Sequence, residues 1–182
     1  MKTIVVYGSQ YGATEQYARW LAEALGADLY AVRAISAEVL GNYGCIVYGG
    51  GLYAGGVKGL STFLKHFSKV EGKPLILFTC GIADPKDPAN VKHIRSQLQK
   101  ALPANVAAQC TFFHLRGRLD YPHLTVVHRA MMAMLRKMLL KKEPSSLREE
   151  DCQLLETYGK DVSFLDRSSI EPIVSFVCRA SE

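Results

Sequence analysis

Residues 3–14 read Thr-Ile-Val-Val-Tyr-Gly-Ser-Gln-Tyr-Gly-Ala-Thr, and the junction inside them decides the fold. The unbroken apolar run at 3–7 has the character of a strand buried on both faces, as in a parallel sheet. Small and hydroxylated residues follow at once. A helical stripe then runs through Ala18, Leu21, Ala22 and Leu25 and is closed by Gly26. A strand that feeds a helix N-terminus directs unpaired N–H groups and the positive end of the helix dipole at one spot, which suits an anion. Ser9 and Thr14 add hydroxyl groups there, and Gly12 lets the backbone turn tightly around a phosphate. The glycines follow neither the dinucleotide spacing nor the P-loop pattern, and no Lys follows Gly12. The expectation is a loop for one terminal phosphate, hence a mononucleotide; the plainer alternative is a strand-to-helix turn without a ligand.

Strand and helix signals alternate outward from this junction, the pattern of a parallel sheet covered on both faces. Strands are predicted at 29–32, 45–48, 75–79 and 107–115. Helices are predicted at 36–40, at 60–67 from Leu60, Phe63, Leu64 and Phe67, and from Asp87-Pro88 onward with Val91, Ile94, Leu98 and Leu102 inward. A last helix is predicted to start near Ser168, with Glu171 completing a capping box. Residues 49–56 read as a glycine-rich loop. The stretch 116–167 is too long for an ordinary connection and carries its own helical signals, so it reads as a helical insertion within a single domain spanning 1–182.

The chain has 182 residues and is 48% hydrophobic, enough for one sizeable core. No apolar run is long enough to span a bilayer, and Met1-Lys2 leads straight into the first strand without a leader pattern. The five cysteines lack any CxxC pair and the five histidines lack metal-ligand spacing, so a reduced, cytoplasmic, metal-free protein is expected. A net charge of +5 suits an anionic substrate or an anionic membrane surface, and no nucleic-acid partner is expected.

In an open α/β sheet, ligands sit beyond the carboxyl ends of the strands where the strand order reverses, and the loops after strands one, three and four meet there. Residues 9–14 resemble the flavodoxin phosphate loop, Ser/Thr-x-Thr-Gly-x-Thr, which holds the phosphate of FMN; Tyr11 stands where that family has Thr. The resemblance implies an α/β, flavodoxin-like three-layer fold whose five-stranded parallel sheet has the order 2-1-3-4-5. It also implies non-covalent FMN, with the phosphate on the loop of Ser9, Gln10, Tyr11, Gly12, Ala13 and Thr14. The ring would lie between Gly50, Gly51, Leu52, Tyr53, Ala54 and Gly55 on one side and Thr79, Cys80, Gly81 and Ile82 on the other. Tyr53 is the aromatic residue placed to stack on it. Cys80 is expected to be a small uncharged neighbour of the ring, because nothing near it in sequence would depress its pKa.

Gly117-Arg118-Leu119-Asp120-Tyr121-Pro122 closes the fifth strand, and a helix is predicted over 125–142. It is rich in Met and Leu, and its charges, on Arg129, Arg136, Lys137, Lys141 and Lys142, are all positive. Such a helix suits a membrane interface or a lid over a flat ligand, or it packs on the domain as a plain cover. Gly117, Leu119, Tyr121 and Pro122, followed by Arg129, Met131, Leu135, Lys137 and Met138, resemble the menaquinone-dependent protoporphyrinogen dehydrogenases. This second resemblance implies an FMN oxidoreductase that takes a flat anionic or quinone-like small molecule, at the inner face of the membrane or in the cytoplasm. Arg118, Tyr121 and Arg129 are the substrate-contacting residues it implies, the arginines through forked bonds to carboxylates. No general base is identifiable. The alternative is an electron-transfer flavodoxin that serves a protein partner.

Overall fold

Ile4, Val5 and Val6 are fully buried because β1 (Thr3–Gly8) has a parallel neighbour on each edge and a helical layer over each face. The computed structural model describes residues 1–53, 56–147 and 149–180. In chain order, β1 is followed by α1 (Ala13–Leu25), β2 (Asp28–Ala31), α2 (Ala37–Gly41), β3 (Cys45–Tyr53), β4 (Gly56–Val57), α3 (Leu60–Leu64) and β5 (Leu75–Gly81). Then come α4 (Pro88–Ala101), α5 (Ala104–Gln109), β6 (Cys110–Arg116), β7 (Arg118–Asp120), α6 (Val126–Leu139), α7 (Glu149–Thr157), β8 (Asp161–Ser163) and α8 (Glu171–Ala180).

The sheet runs β2-β1-β3-β5-β6 with every neighbouring pair parallel, and the short β4 pairs antiparallel to the end of β3. Counting the parallel strands alone, this is the implied order 2-1-3-4-5. Side chains alternate across the pleat, so one face buries Val5, Val47, Ile76 and Phe78 against Tyr17 and Leu21 of α1 and Ile173 of α8. The other face buries Ile4, Val6, Ile46, Tyr48 and Leu77 against Phe63, Ile94 and Leu98.

Several boundaries differ from the sequence expectation, each for a local reason. Residues 49–53 are not a loop; they extend β3, with Gly49, Gly50 and Gly51 paired to Phe78, Thr79 and Cys80. A Cβ on Gly49 would lie 2.0 Å from the Phe78 ring and one on Gly50 2.1 Å from Val57, so these glycines permit close packing within a strand. Residues 107–109 belong to α5, which starts where Ala107 N–H donates to Pro103 O at 2.9 Å, and β6 begins only at Cys110. The helix expected over 60–67 stops at Leu64 and resumes as a short 3-10 turn at Phe67–Lys69. The final helix is led in by Asp166 instead of Ser168. The Asp166 Oδ1 accepts from Ser168 N–H at 2.9 Å across a 3-10 turn, and α8 follows from Glu171. The Asp87 cap is as expected, with Oδ1 accepting from Ala89 N–H at 2.8 Å.

The segment that joins β6 to α8 holds more than helices. β7 and β8 form a two-stranded antiparallel ribbon, Leu119 opposite Val162, with α6 and α7 between them in the chain. Among the described residues, no helix is long and apolar enough to cross a membrane.

Candidate functional site

The site forms at the carboxyl edge of the sheet, where the chain leaves β1. Gly12 adopts φ +87°, a left-handed conformation that an L side chain rarely takes, and α1 begins directly after it with no side chain capping its first turn. Gly12 N–H donates to Ser9 Oγ at 3.1 Å, which fixes the loop and leaves the Ser9 hydroxyl hydrogen free to donate outward. Beside this turn lies a cavity of about 220 Å3. Ser9, Tyr11, Ala13 and Thr14 form its first wall. Gly51, Leu52 and Tyr53 from the end of β3 and Cys80, Gly81 and Ile82 from the end of β5 form the next two. The fourth wall comes from the segment after β6: Gly117, Arg118, Leu119, Asp120, Leu124, His128, Met131, Met132 and Leu154.

Most of the expected cofactor residues are thus brought together, with instructive exceptions. Gln10 and Gly12 belong to the loop without lining the cavity, and Gly50 sits beneath Val57. Thr79 is buried away from the cavity, its Oγ1 2.7 Å from His114 Nδ1. Ala54 and Gly55 lie outside the described residues. Cys80 is buried, and burial pushes its thiol up to about 12, only partly offset by the Thr14 hydroxyl. It is a neutral wall, as expected.

The expected substrate residues fare differently. Arg118 lines the cavity, but its fork is engaged: Nε donates to Asp161 Oδ1 at 2.8 Å, Nη2 to Asp161 Oδ2, and Nη2 lies 3.1 Å from Asp120. The ribbon imposes this, since Asp120 and Asp161 face each other in its register. Tyr121 is buried beneath the segment, its ring 4.9 Å from that of Tyr158, and does not line the cavity. Burial and Tyr158 push its hydroxyl up to about 12. Arg129 also lies outside the lining and reaches back to Pro122 O at 3.4 Å.

Tyr11 acquires a purpose that its sequence context hides. Its hydroxyl contacts His128 Nδ1 on α6 and accepts from Thr125 N–H at 3.3 Å. Tyr53 stacks on His128 with centroids 5.6 Å apart and planes 19° from parallel. Tyr11 therefore ties the loop after β1 to the start of α6, 117 residues further along the chain. A second tie is Arg116: Nε donates to Ile82 O at 3.2 Å, Nη1 lies 3.3 Å from Asp84, Nη2 donates to Gln153 Oε1 at 3.0 Å, and the guanidinium sits 3.7 Å above the Phe164 ring. His128, Leu124 and Leu154 had no signal in the sequence, because the partners that give them meaning are distant in the chain. Among the described residues no cluster of His, Cys, Asp or Glu could hold a metal ion.

The family model of the flavodoxin domain matches residues 4–146. An uncharacterized protein of Methanocaldococcus jannaschii is 35% identical over 83 residues, covering 44% of this chain and 55% of that protein. This chain thus spans about half the length of that relative. Similar solved structures include a flavodoxin from the domain Archaea, with 16% identity and a TM-score of 0.45 over 64% of this chain and 83% of that one. Another is oxidised flavodoxin 1 from Bacillus cereus, with 20% identity and a TM-score of 0.40 over 64% of this chain and 86% of that one. FMN is the cofactor of flavodoxins, and the residues at this edge fit it. The uncapped first turn of α1 offers N–H donors to a terminal phosphate. Gly51 and Gly81 keep the walls low, and Tyr53 offers an aromatic face.

Proposed function

The chain belongs to the flavodoxin domain family, and we propose that it is an FMN-dependent oxidoreductase acting on a flat small molecule. Bound FMN supplies hydride or single-electron transfer; the protein supplies position and a dry enclosure. The observation that carries this reading is the fourth wall of the cavity. A mobile electron carrier needs an open flavin edge for its protein partner, whereas here Leu119, Leu124, Met131, Met132 and Leu154 add an apolar wall beside the ring-binding loops. Such a wall excludes water and orients a flat substrate.

The specific reaction we propose is oxidation of a protoporphyrinogen-type substrate coupled to a quinone. Arg118 is already forked to Asp161 and flanked by Asp120, so its fork is not free for a substrate carboxylate, and the apolar wall suits the quinone half of the reaction. A contact with an anionic membrane surface, where lipophilic quinones dissolve, belongs to the same proposal. On α6, Val127, Met131, Met134 and Met138 recur at i, i+4, i+7 and i+11 and are 67, 41, 63 and 57% exposed. Lys137 and Lys141 stand exposed beside this stripe.

The test is reconstitution with FMN followed by anaerobic turnover with a soluble short-chain quinone. The expected result is non-covalent flavin, reduction in a single two-electron step and stoichiometric hydroquinone. A stable one-electron stage with no quinone turnover would assign the chain to the electron carriers instead.

A further inference from the structure

We propose that His128 is the proton donor of the cavity and that Tyr11 is the positioning residue that fixes its tautomer, an inference that rests on the quinone-reducing function above. The His128 ring lines the cavity and is held on two sides, by the Tyr53 ring stacked against it and by Tyr11 Oη at its Nδ1. Tyr11 Oη also accepts from Thr125 N–H at 3.3 Å. A phenol oxygen has two lone pairs. Thr125 N–H fills one of them, and the other is assigned to Nδ1–H of His128, leaving the phenol hydrogen to donate elsewhere, so that the imidazole keeps a hydrogen on Nδ1 and works through Nε2.

The other ionisable groups that line the cavity are committed elsewhere. Arg118 is forked to Asp161, and Asp120 is paired with both Arg118 and His123. Burial holds the Cys80 thiol neutral and pushes the Tyr53 hydroxyl up, with Tyr11 adding to that upward shift. Among the described lining residues, imidazole is the side-chain type that ordinarily exchanges a proton near neutrality. Arg129 follows His128 on α6 but is directed to Pro122 O.

Reduction of a quinone to a hydroquinone takes a hydride equivalent, which bound FMN would supply under the reading above, and one further proton. The Nε2–H bond of protonated His128 breaks as the second O–H bond of the hydroquinone forms. The neutral imidazole retains Nδ1–H on Tyr11 and takes its next proton from water. In the oxidative direction the same Nε2 receives the proton that a reduced substrate releases.

The experiment joins a tautomer measurement to a pH profile. In 15N NMR of the FMN-free protein above the titration of the ring, wild-type His128 is expected to carry its hydrogen on Nδ1. Tyr11→Phe, which keeps the ring and removes the oxygen, is expected to shift it towards Nε2. In the FMN-loaded protein, His128→Gln is expected to lower quinone turnover on the order of 100-fold and to abolish the fall in kcat on the basic side. Tyr11→Phe is expected to move that fall along the pH axis. Nε2–H in the wild type, or wild-type kcat with an unchanged basic limb in His128→Gln, would overturn the proposal. Wild-type protein that binds no FMN would defeat the function proposed above, and the dyad would then stand or fall on the tautomer alone.

Discussion

The parallel sheet and the segment that roofs it are built on opposite principles. In the sheet, Ile4, Val5, Val6, Ile46, Val47, Ile76 and Phe78 are wholly buried between two helical layers. In the segment after β6 the buried apolar residues are Tyr121, Leu124 and Leu139, while Val126, Val127, Met134, Met138 and Leu140 are exposed. Burial fixes the sheet. The segment is held at points: Arg116 against Phe164 and Asp84, Arg118 against Asp161, Tyr11 against His128, and Lys142 3.5 Å from Asp151. Exposed ion pairs each contribute about 0–1 kcal/mol, so the segment is expected to open locally at a lower cost than unfolding the sheet. A roof held more loosely than its floor would let the cavity widen to admit a ligand.

The largest effect that separates the two regions belongs to the sheet. Phe78→Ala removes a ring packed against Gly49 in the fully buried layer, and a loss of about 3–5 kcal/mol in urea unfolding is expected. A cost under about 1 kcal/mol would mean that the sheet does not carry the stability.

Arg116→Ala comes next and acts on the roof. It removes the cation–π contact at 3.7 Å, the ion pair to Asp84 and the bond to Gln153. A local loss of about 1–3 kcal/mol is expected, read as faster hydrogen exchange in β7, β8 and α7 with β1 and β3 unchanged. Equal acceleration in all of them would erase the distinction between the regions.

The third effect is a pH response seated in the sheet. Burial, helped by Arg95, lowers His114 from 6.5 to about 4. The folded state therefore holds this histidine neutral while the unfolded chain protonates. Its stabilisation is complete above pH 6.5 and is lost as the pH falls from there towards 4. After discounting for partial exposure, a loss on the order of 1–2 kcal/mol across that window is expected, reduced in His114→Gln, which keeps a partner for Thr79. Parallel pH curves for the two proteins would remove this role. The smallest effect is on the outer stripe of α6. Met134→Gln with Met138→Gln should change stability by no more than about 0.5 kcal/mol. The same pair should weaken sedimentation with anionic vesicles at low salt, and unchanged sedimentation would leave α6 as a cover.

The two regions were also unequally legible. The β1–α1 junction and the Asp87 cap could be read because each depends on neighbours in the chain, whereas the order of the parallel strands came from the resemblance to flavodoxins. The triple glycine at 49–51 misled, since glycine marks loops and close packing alike, and only Phe78 and Val57 above it tell which. The ribbon of β7 and β8 was invisible: two three-residue strands some forty residues apart leave no periodicity. At the site, Ser9, Tyr53 and Cys80 were found from local pattern and the resemblance. His128 was not, because its partners Tyr11 and Tyr53 come from the other end of the chain. Arg118 was found, but its capture by Asp161 depends on a register that no local pattern encodes.

The most direct test is hydrogen exchange with and without FMN. If the cavity is shared by the phosphate loop and the roof, FMN should slow exchange at residues 9–16 and also in the first two turns of α6, around His128 and Met132. Slowing confined to residues 9–16 and 80–82, with α6 exchanging as in the free protein, would contradict a shared cavity and make the segment an appendage to an ordinary flavin site.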